Sequence, residues 1–374
     1  MLRVIVILFF LSFGLCSWVH AAEIFPTAKH GRGEVRTINA IPVAILVGSP
    51  VEIGEQHAAL VAKPGKELLG FPKLIFAEFG IEFFYPLAAQ AGKTLMLNAP
   101  QRYQQEVAAA TKIGKLEPET LAVANTLLEL RRIGCSALIV EPKKSATGAM
   151  LFGRNFDFPP FGVLDRYSLV TVIRPEGHHA FAAVSFPGLM GVFSGMNDAG
   201  LCVATLDVYE AADGSSHFDP TGVPMALTFR QILEECTTVA EAEALLKRTH
   251  ATTQANLAVC DRERGVIFEI TPKQVARRDA KDALLPCTNH FRLPGLAVNE
   301  ECWRYDSLEV AGEKPTLAVA DIQAALHQAN QGELTLQTMV FEPRELVLHI
   351  SLGTPPSSAH KMHRLELRDL LLSK

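Results

Sequence analysis

An α+β fold, with two layers of sheet covered by helices, is what this sequence predicts. Three observations predict it. Leu121, Ala124, Leu127 and Leu128 recur at helical spacing up to Arg131, just before Gly134-Cys135. From Cys135 onward the pattern changes to short runs rich in β-branched and apolar residues, separated by turn residues. Helical segments then interrupt those strands, as at Thr238 and Val319.

The elements follow in order. Arg3 precedes an apolar run from Val4 to Leu15, and Val19-His20-Ala21 places small or apolar residues at the usual cleavage positions. Residues 1–22 are therefore expected to be a secretory signal peptide, cut after Ala21 or Ala22, and the mature protein to be periplasmic or secreted. The run is shorter than the roughly 20 residues of a spanning helix, which argues against a membrane anchor. No second long apolar segment follows, so no stable membrane span is expected. Residues 23–134 form an amino-terminal segment with more helix than strand: a strand at Val43–Val47, helices at Val51–Ala62 and Gln101–Thr111, and a helix opened by Pro118. Residues 135–374 carry the strands Ala137–Val140, Leu151–Phe158, Ser168–Arg174, Ala180–Phe186 and Leu201–Val208. Thr238-Val239-Ala240-Glu241 is a capping box that opens a helix. Asn256–Cys260 and Val266–Ile270 form a hairpin, a helix spans about Val319 to Gln328, and Met339–Phe341 with Leu346–Ile350 form another hairpin.

Composition narrows the function. The chain has 374 residues, 48% hydrophobic and 20% charged, with a formal net charge of -5. It is globular, and no basic stretch interleaved with aromatics supports nucleic-acid binding. Six cysteines remain after Cys16 leaves with the signal. They are widely spaced, with no Cys-x-x-Cys and no His-Glu-x-x-His, so neither a metal nor a cofactor is expected. Cys202, Cys236 and Cys260 sit in apolar surroundings and read as buried thiols, and Cys287 with Cys302 is the first pair to test for a disulfide.

Cys135 carries the chemistry. A thiol is only slightly ionised at neutral pH and needs activation. If the Gly134–Cys135 bond is cut, Cys135 gains an α-amine with a reference pKa of about 8, within reach of its own thiol. Gly134 suits such a cut because it permits a close, strained approach. The dipeptide alone fits a buried structural cysteine at a strand start better than a nucleophile. Arg154 and Asp157, in Gly153-Arg154-Asn155-Phe156-Asp157-Phe158, shift that balance. A fixed cation lowers a nearby thiol's pKa, and a carboxylate can hold an ammonium. On a strand these two face opposite sides unless the strand bends or ends, and Pro159-Pro160 ends it. A structural Arg–Asp ion pair fits the same residues. Asn197 and Asn289 are candidate oxyanion donors, and Arg304 is a further candidate cation. Phe158 and Phe193 are candidates for contact with an apolar acyl group, against the plainer alternative of core packing.

Together these residues resemble the N-terminal-nucleophile hydrolases of the choloylglycine hydrolase and acid ceramidase superfamily, most of all the acyl-CoA:6-aminopenicillanic acid acyltransferase-like peptidases. The resemblance runs through Gly134-Cys135, Gly153-Arg154-Asn155-Phe156-Asp157-Phe158, Gly195-Met196-Asn197-Asp198-Ala199-Gly200-Leu201, Thr288-Asn289-His290-Phe291 and Arg304, in that order. Gly48-Ser49-Pro50-Val51-Glu52-Ile53-Gly54, followed by His57, looks like the amino-terminal part of the acyltransferase-like members. It implies an αββα four-layer sandwich and autocleavage before Cys135, into two chains that stay associated. It also implies roles: Cys135 as nucleophile, Arg154 as thiol-activating cation, Asp157 as the carboxylate near the amine, Asn197 and Asn289 as oxyanion donors, and Arg304 as a structural or charge-relay arginine. Ser136-Ala137 departs from the Thr or Ser with Thr that many acyltransferase-like members carry after the cysteine.

The expected activity is hydrolysis of a linear N-acyl amide through a thioester on Cys135. Acyl transfer to an amine such as a β-lactam nucleus is the alternative, disfavoured because an exported enzyme seldom meets cytosolic acyl-CoA. A papain-like enzyme using His290, or a non-catalytic exported binding protein, are rivals from other classes. The substrate's acyl group, its leaving amine and any homo-oligomer stay open at this stage.

Overall fold

The protein is described from a computed structural model covering residues 24–78, 80–126, 134–299 and 301–373. The expected signal peptide and the helical positions Leu127 to Arg131 lie outside the described residues. Three strands precede the cysteine: β1 (Ala28–His30), β2 (Gly33–Ile38) and β3 (Ile41–Gly48). After it come β4 (Gly134–Val140), β5 (Leu151–Asp157), β6 (Leu169–Pro175), β7 (Phe181–Ser185), β8 (Ser194–Asn197) and β9 (Cys202–Asp207). The remainder are β10 (Ala255–Cys260), β11 (Gly265–Ile270), β12 (Val275–Asp279), β13 (Leu284–Cys287), β14 (Thr335–Glu342), β15 (Val347–Ser351) and β16 (His363–Glu366).

These strands build two sheets. One has ten strands in the order β1-β2-β3-β6-β7-β8-β9-β10-β11-β12, and the other has six in the order β13-β4-β5-β14-β15-β16. Every pairing is antiparallel except β3 with β6. The amino-terminal segment therefore completes the larger sheet instead of forming a body of its own. Helices Pro50–His57, Met225–Glu235 and Val239–Arg248 pack on the ten-stranded sheet, and helices Trp303–Val310 and Val319–Gln328 on the six-stranded one. The result is the predicted α+β arrangement of helix, sheet, sheet and helix.

Strand alternation explains the layering. On β4, Cys135, Ala137 and Ile139 enter the core between the sheets, while Leu138 and Val140 pack with Leu308, Ile322 and Leu326 beneath the outer helices. Apart from Ser136 both sides are apolar, and the strand is buried from Cys135 to Val140. The Thr238 capping box forms as expected, and a second one, Ser49 with Glu52, opens the helix at Pro50. The helix expected over Val51–Ala62 is regular only to His57 and continues as a wider turn through Ala58–Ala62. Among the described residues no helix is long and apolar enough to cross a membrane, and no cluster could hold a metal ion. The disulfide considered for Cys287 and Cys302 does not form. Both thiols are free, the first facing the Thr288 carbonyl and the second standing at the start of helix Trp303–Val310.

Candidate active site

Cys135 is the second residue of β4 and points into the space between the sheets, fully buried. Its direct partner across the ladder is Phe156 of β5. Arg154, two residues before Phe156, shares that face, and its Nη2 donates to Cys135 Sγ over 2.6 Å. The arginine is also fully buried. It donates further to the carbonyls of Phe193 (3.0 Å), Thr205 (3.0 Å) and Asn155 (3.2 Å), and to Ser194 Oγ. Among the described residues it forms no ion pair with a carboxylate, since the ion pair of Asp157 is with Arg304. A buried cation held by neutral carbonyls and one thiol favours negative charge on that thiol. Burial pushes the Cys135 thiol up, Arg154 pulls it down, and Asp157 adds to the rise, so in the uncut chain the thiol sits above its ordinary value.

Asp157 ends β5 on the opposite face from Arg154, as strand periodicity requires. Thr335 Oγ1 donates to its Oδ1 over 2.7 Å, and Gln331 Nε2 donates to its Oδ2 over 2.8 Å. Arg304 Nη1 lies 3.9 Å away. Burial raises the carboxyl above its usual range, against the pull of Gln331, Thr335, Arg304 and Arg154. Gly134 is opposite Asp157 in the ladder. A Cβ at Gly134 would come within 2.4 Å of Gln331 Nε2, so a side chain there would displace the residue that holds Asp157.

The backbone of Cys135 is gripped from the other side. Asn289 Oδ1 accepts its N–H over 2.8 Å, and Arg304 Nη1 donates to its carbonyl over 2.5 Å. Arg304 Nη2 donates to the same Asn289 oxygen over 3.0 Å, and Asn289 Nδ2 donates to the Asp207 carbonyl over 2.7 Å. In the uncut chain Asn289 thus reaches the site with its oxygen, toward the nitrogen that a cut would free, while its amide nitrogen donates to the Asp207 carbonyl.

Asn197 needs a clear correction. It sits on β8, where Ser194 faces the site and period-2 alternation turns Asn197 to the opposite side. Its amide donates both hydrogens to the carbonyls of Leu233 (2.9 Å) and Cys236 (2.7 Å), and its oxygen accepts from the Ala199 and Leu201 N–H groups. It ties the tight turn after β8 to the end of helix Met225–Glu235. No hydrogen remains for an oxyanion.

Two clefts flank this constellation. Phe156 stacks with Phe193 (5.8 Å between centroids) and Phe158 (6.2 Å), and the Arg154 guanidinium lies 5.0 Å from the Phe156 ring centroid. These rings wall an apolar cavity of about 40 Å³ that Leu68, Phe71 and Leu164 complete. Both predicted contact residues, Phe158 and Phe193, line it. On the Asn289 side lies a more polar cleft of about 160 Å³, bordered by Tyr209, Glu210, His290 and Asn299. His290 borders that cleft instead of pairing with Cys135, whose thiol partner is Arg154. Sequence reasoning missed Gln331, Thr335 and Ser194. Only Ser194 had a visible signal, its place two residues before Met196 on the site-facing side of β8.

Residues 143–311 match the family described as acyl-coenzyme A:6-aminopenicillanic acid acyl-transferase. The matched span holds Arg154, Asp157, Asn197, Asn289 and Arg304, and begins after Cys135. An uncharacterized protein of Archaeoglobus fulgidus is 23% identical over 321 residues, covering 70% of this chain and 53% of its own length. The chain thus spans about half of that relative. Among solved structures, the Caenorhabditis elegans ortholog of N-acylethanolamine-hydrolyzing acid amidase is 16% identical, with a TM-score of 0.45 over 62% of this chain and 100% of that one. A mutant of conjugated bile acid hydrolase from Clostridium perfringens is 14% identical, with a TM-score of 0.43 over 63% and 93%. Penicillin V acylase from Agrobacterium tumefaciens is 16% identical, with a TM-score of 0.44 over 58% and 83%. Over residues 143–311 the chain is similar to this acyl-transferase family, which bears out the resemblance drawn from the motifs within that span.

Proposed function

We propose that this chain is an exported, self-processing cysteine amidohydrolase acting on a linear N-acyl amide. One observation carries the reading. Arg154 reaches the Cys135 thiol while Asn289 and Arg304 hold the nitrogen and carbonyl of the same residue. A structural cysteine has no need of a buried arginine on its sulfur and two polar groups on its backbone.

The reaction has two stages. In the first, Cys135 Sγ attacks the Gly134 carbonyl carbon and the Gly134–Cys135 C–N bond breaks. The acyl group moves from nitrogen to sulfur, and the nitrogen gains a proton. Water then hydrolyses the thioester, leaving a Gly134 carboxylate and a free Cys135 α-amine. The pairing of β3 with β6 and of Glu106 with Arg230 across the proposed cut supports the reading that the two parts stay together. In the second stage the α-amine takes the thiol proton, Asn289 Oδ1 accepts from the resulting ammonium, and the Asp157 carboxylate is assigned to balance its charge. Sulfur attacks the substrate carbonyl, the ammonium protonates the leaving amine, and water clears the thioester as a carboxylic acid. We assign the acyl group to the apolar wall of Phe156, Phe158 and Phe193 and the amine to the cleft at Asn289.

The family match favours a second reading, in which an amine instead of water takes the acyl group. A panel of N-acyl amides, incubated with and without a primary amine and read by mass spectrometry, separates the two. Release of free acid with a transient acyl adduct on the chain carrying Cys135 supports hydrolysis. Exclusive formation of a new amide supports transfer. Absence of any adduct or product across the panel removes both.

A further inference from the structure

The loop that carries Asn289 is fixed from two neighbouring strands. Asn256 of β10, fully buried, donates one amide hydrogen to the Thr288 carbonyl (3.0 Å) and the other to the His290 carbonyl (2.9 Å), the two residues flanking Asn289. Glu269 of β11, also fully buried, accepts the Arg292 N–H on Oε1 (2.9 Å) and the Leu293 N–H on Oε2 (3.0 Å). Asn256 and Glu269 are direct partners in the β10–β11 ladder. One pair of side chains therefore holds the carbonyls at the start of the loop and the N–H groups at its end.

Both residues are costly where they stand. Asn256 Oδ1 is buried without a hydrogen-bond partner among the described residues, and burial raises the Glu269 carboxyl above its usual range. An apolar pair would pack in a sheet without these penalties, so the cost calls for a purpose. The purpose the geometry offers is the placement of Asn289 Oδ1, which lies 2.8 Å from the Cys135 nitrogen.

We propose that Asn256 and Glu269 act as one clamp of positioning residues, which sets the Thr288–Leu293 loop so that Asn289 holds the Cys135 nitrogen. The proposal rests on the self-processing reading above. Neither side chain touches a reacting atom, and both act through Asn289. Misplacing a catalytic contact by about 1 Å costs on the order of 10²-fold in rate.

The test measures self-cleavage of the full chain for Asn256→Ala, Glu269→Gln and the double variant, with thermal midpoints as a fold control. Each single variant is expected to cut about 10²-fold more slowly than wild type. The double variant is expected to be no slower than the slower single one, because a clamp opened at one end has already released the loop. In matured material kcat falls and KM holds. Wild-type cleavage rates in the folded single variants overturn the clamp, as do effects that multiply in the double variant, since two independent supports would multiply. Should Asn256→Ala not fold, Glu269→Gln alone decides, and cleavage at the wild-type rate overturns the proposal. A wild-type chain that never cuts removes the self-processing reading instead.

Discussion

Replacing Arg154 by methionine tests the thiol's activation most sharply. Methionine fills much of the same volume and removes both the charge and the donors. In the structure the guanidinium donates to Cys135 Sγ over 2.6 Å. A unit charge pair about 4 Å apart is worth about 4 kcal/mol at an effective dielectric of about 20. Each 1.36 kcal/mol is about tenfold in a rate, and losing the cation pushes the Cys135 thiol, already raised by burial, further up. Self-cleavage at neutral pH should then slow by about 10²–10³-fold. The fold also suffers, because the carbonyls of Phe193 and Thr205 lose a buried donor, at about 1–3 kcal/mol each. Arg154→Lys separates the two effects, since it keeps the charge and loses the fork. The assay follows the uncut chain against time by intact mass, at a temperature where circular dichroism shows each variant folded. The expected order of rates is wild type, then lysine, then methionine. Methionine cutting as fast as wild type, or lysine and methionine cutting equally slowly, refutes electrostatic activation by this residue.

Other perturbations give opposite signatures. Asn197→Ala should lower stability by about 1–3 kcal/mol, by stripping donors from the Leu233 and Cys236 carbonyls, yet leave the self-cleavage rate of the folded chain unchanged; thermal melts beside cleavage time courses check both halves. Asp157→Asn should abolish or strongly slow turnover. The Asp157 carboxyl is raised by burial, so its stabilising contribution is present at low pH and fades as pH rises above its unfolded value of about 3.8. The wild type should therefore lose stability relative to Asp157→Asn as the pH rises from about 4, read from melts across a pH series. Glu106→Leu leaves Arg230 with Glu234 alone in a fully buried network and should cost about 3–5 kcal/mol in urea unfolding. It should also loosen the amino-terminal segment from the remainder after cleavage, visible as dissociation in size-exclusion chromatography.

How much of this was legible in the sequence depends on distance along the chain. Arg154 and Cys135 were readable because they sit on consecutive strands, where hairpin pairing and period-2 alternation put position 154 beside 135. The same alternation, applied to β8, would have turned Asn197 away from the site and brought Ser194 toward it. The residues that hold Asp157 were not readable. Thr335 meets it through the β5–β14 pairing, a contact between strands far apart in sequence that no local pattern specifies. Asn289 stood out as a candidate oxyanion donor and Arg304 as a further candidate cation, but which atom of Asn289 faces the cysteine depends on the loop that Asn256 and Glu269 border. The amino-terminal strands were under-read. β1 and β2 are short and partly exposed, with a weak hydrophobic signal, and only Val43–Val47 stood out.

The central claim is that Cys135 becomes a chain terminus. Protein purified in active form should give two polypeptides by intact mass, and N-terminal sequencing of one should read Cys-Ser-Ala-Leu, from Cys135 to Leu138. Cys135→Ala should remain one uncut chain. An active wild-type preparation in which the bond between Gly134 and Cys135 is intact would contradict the account.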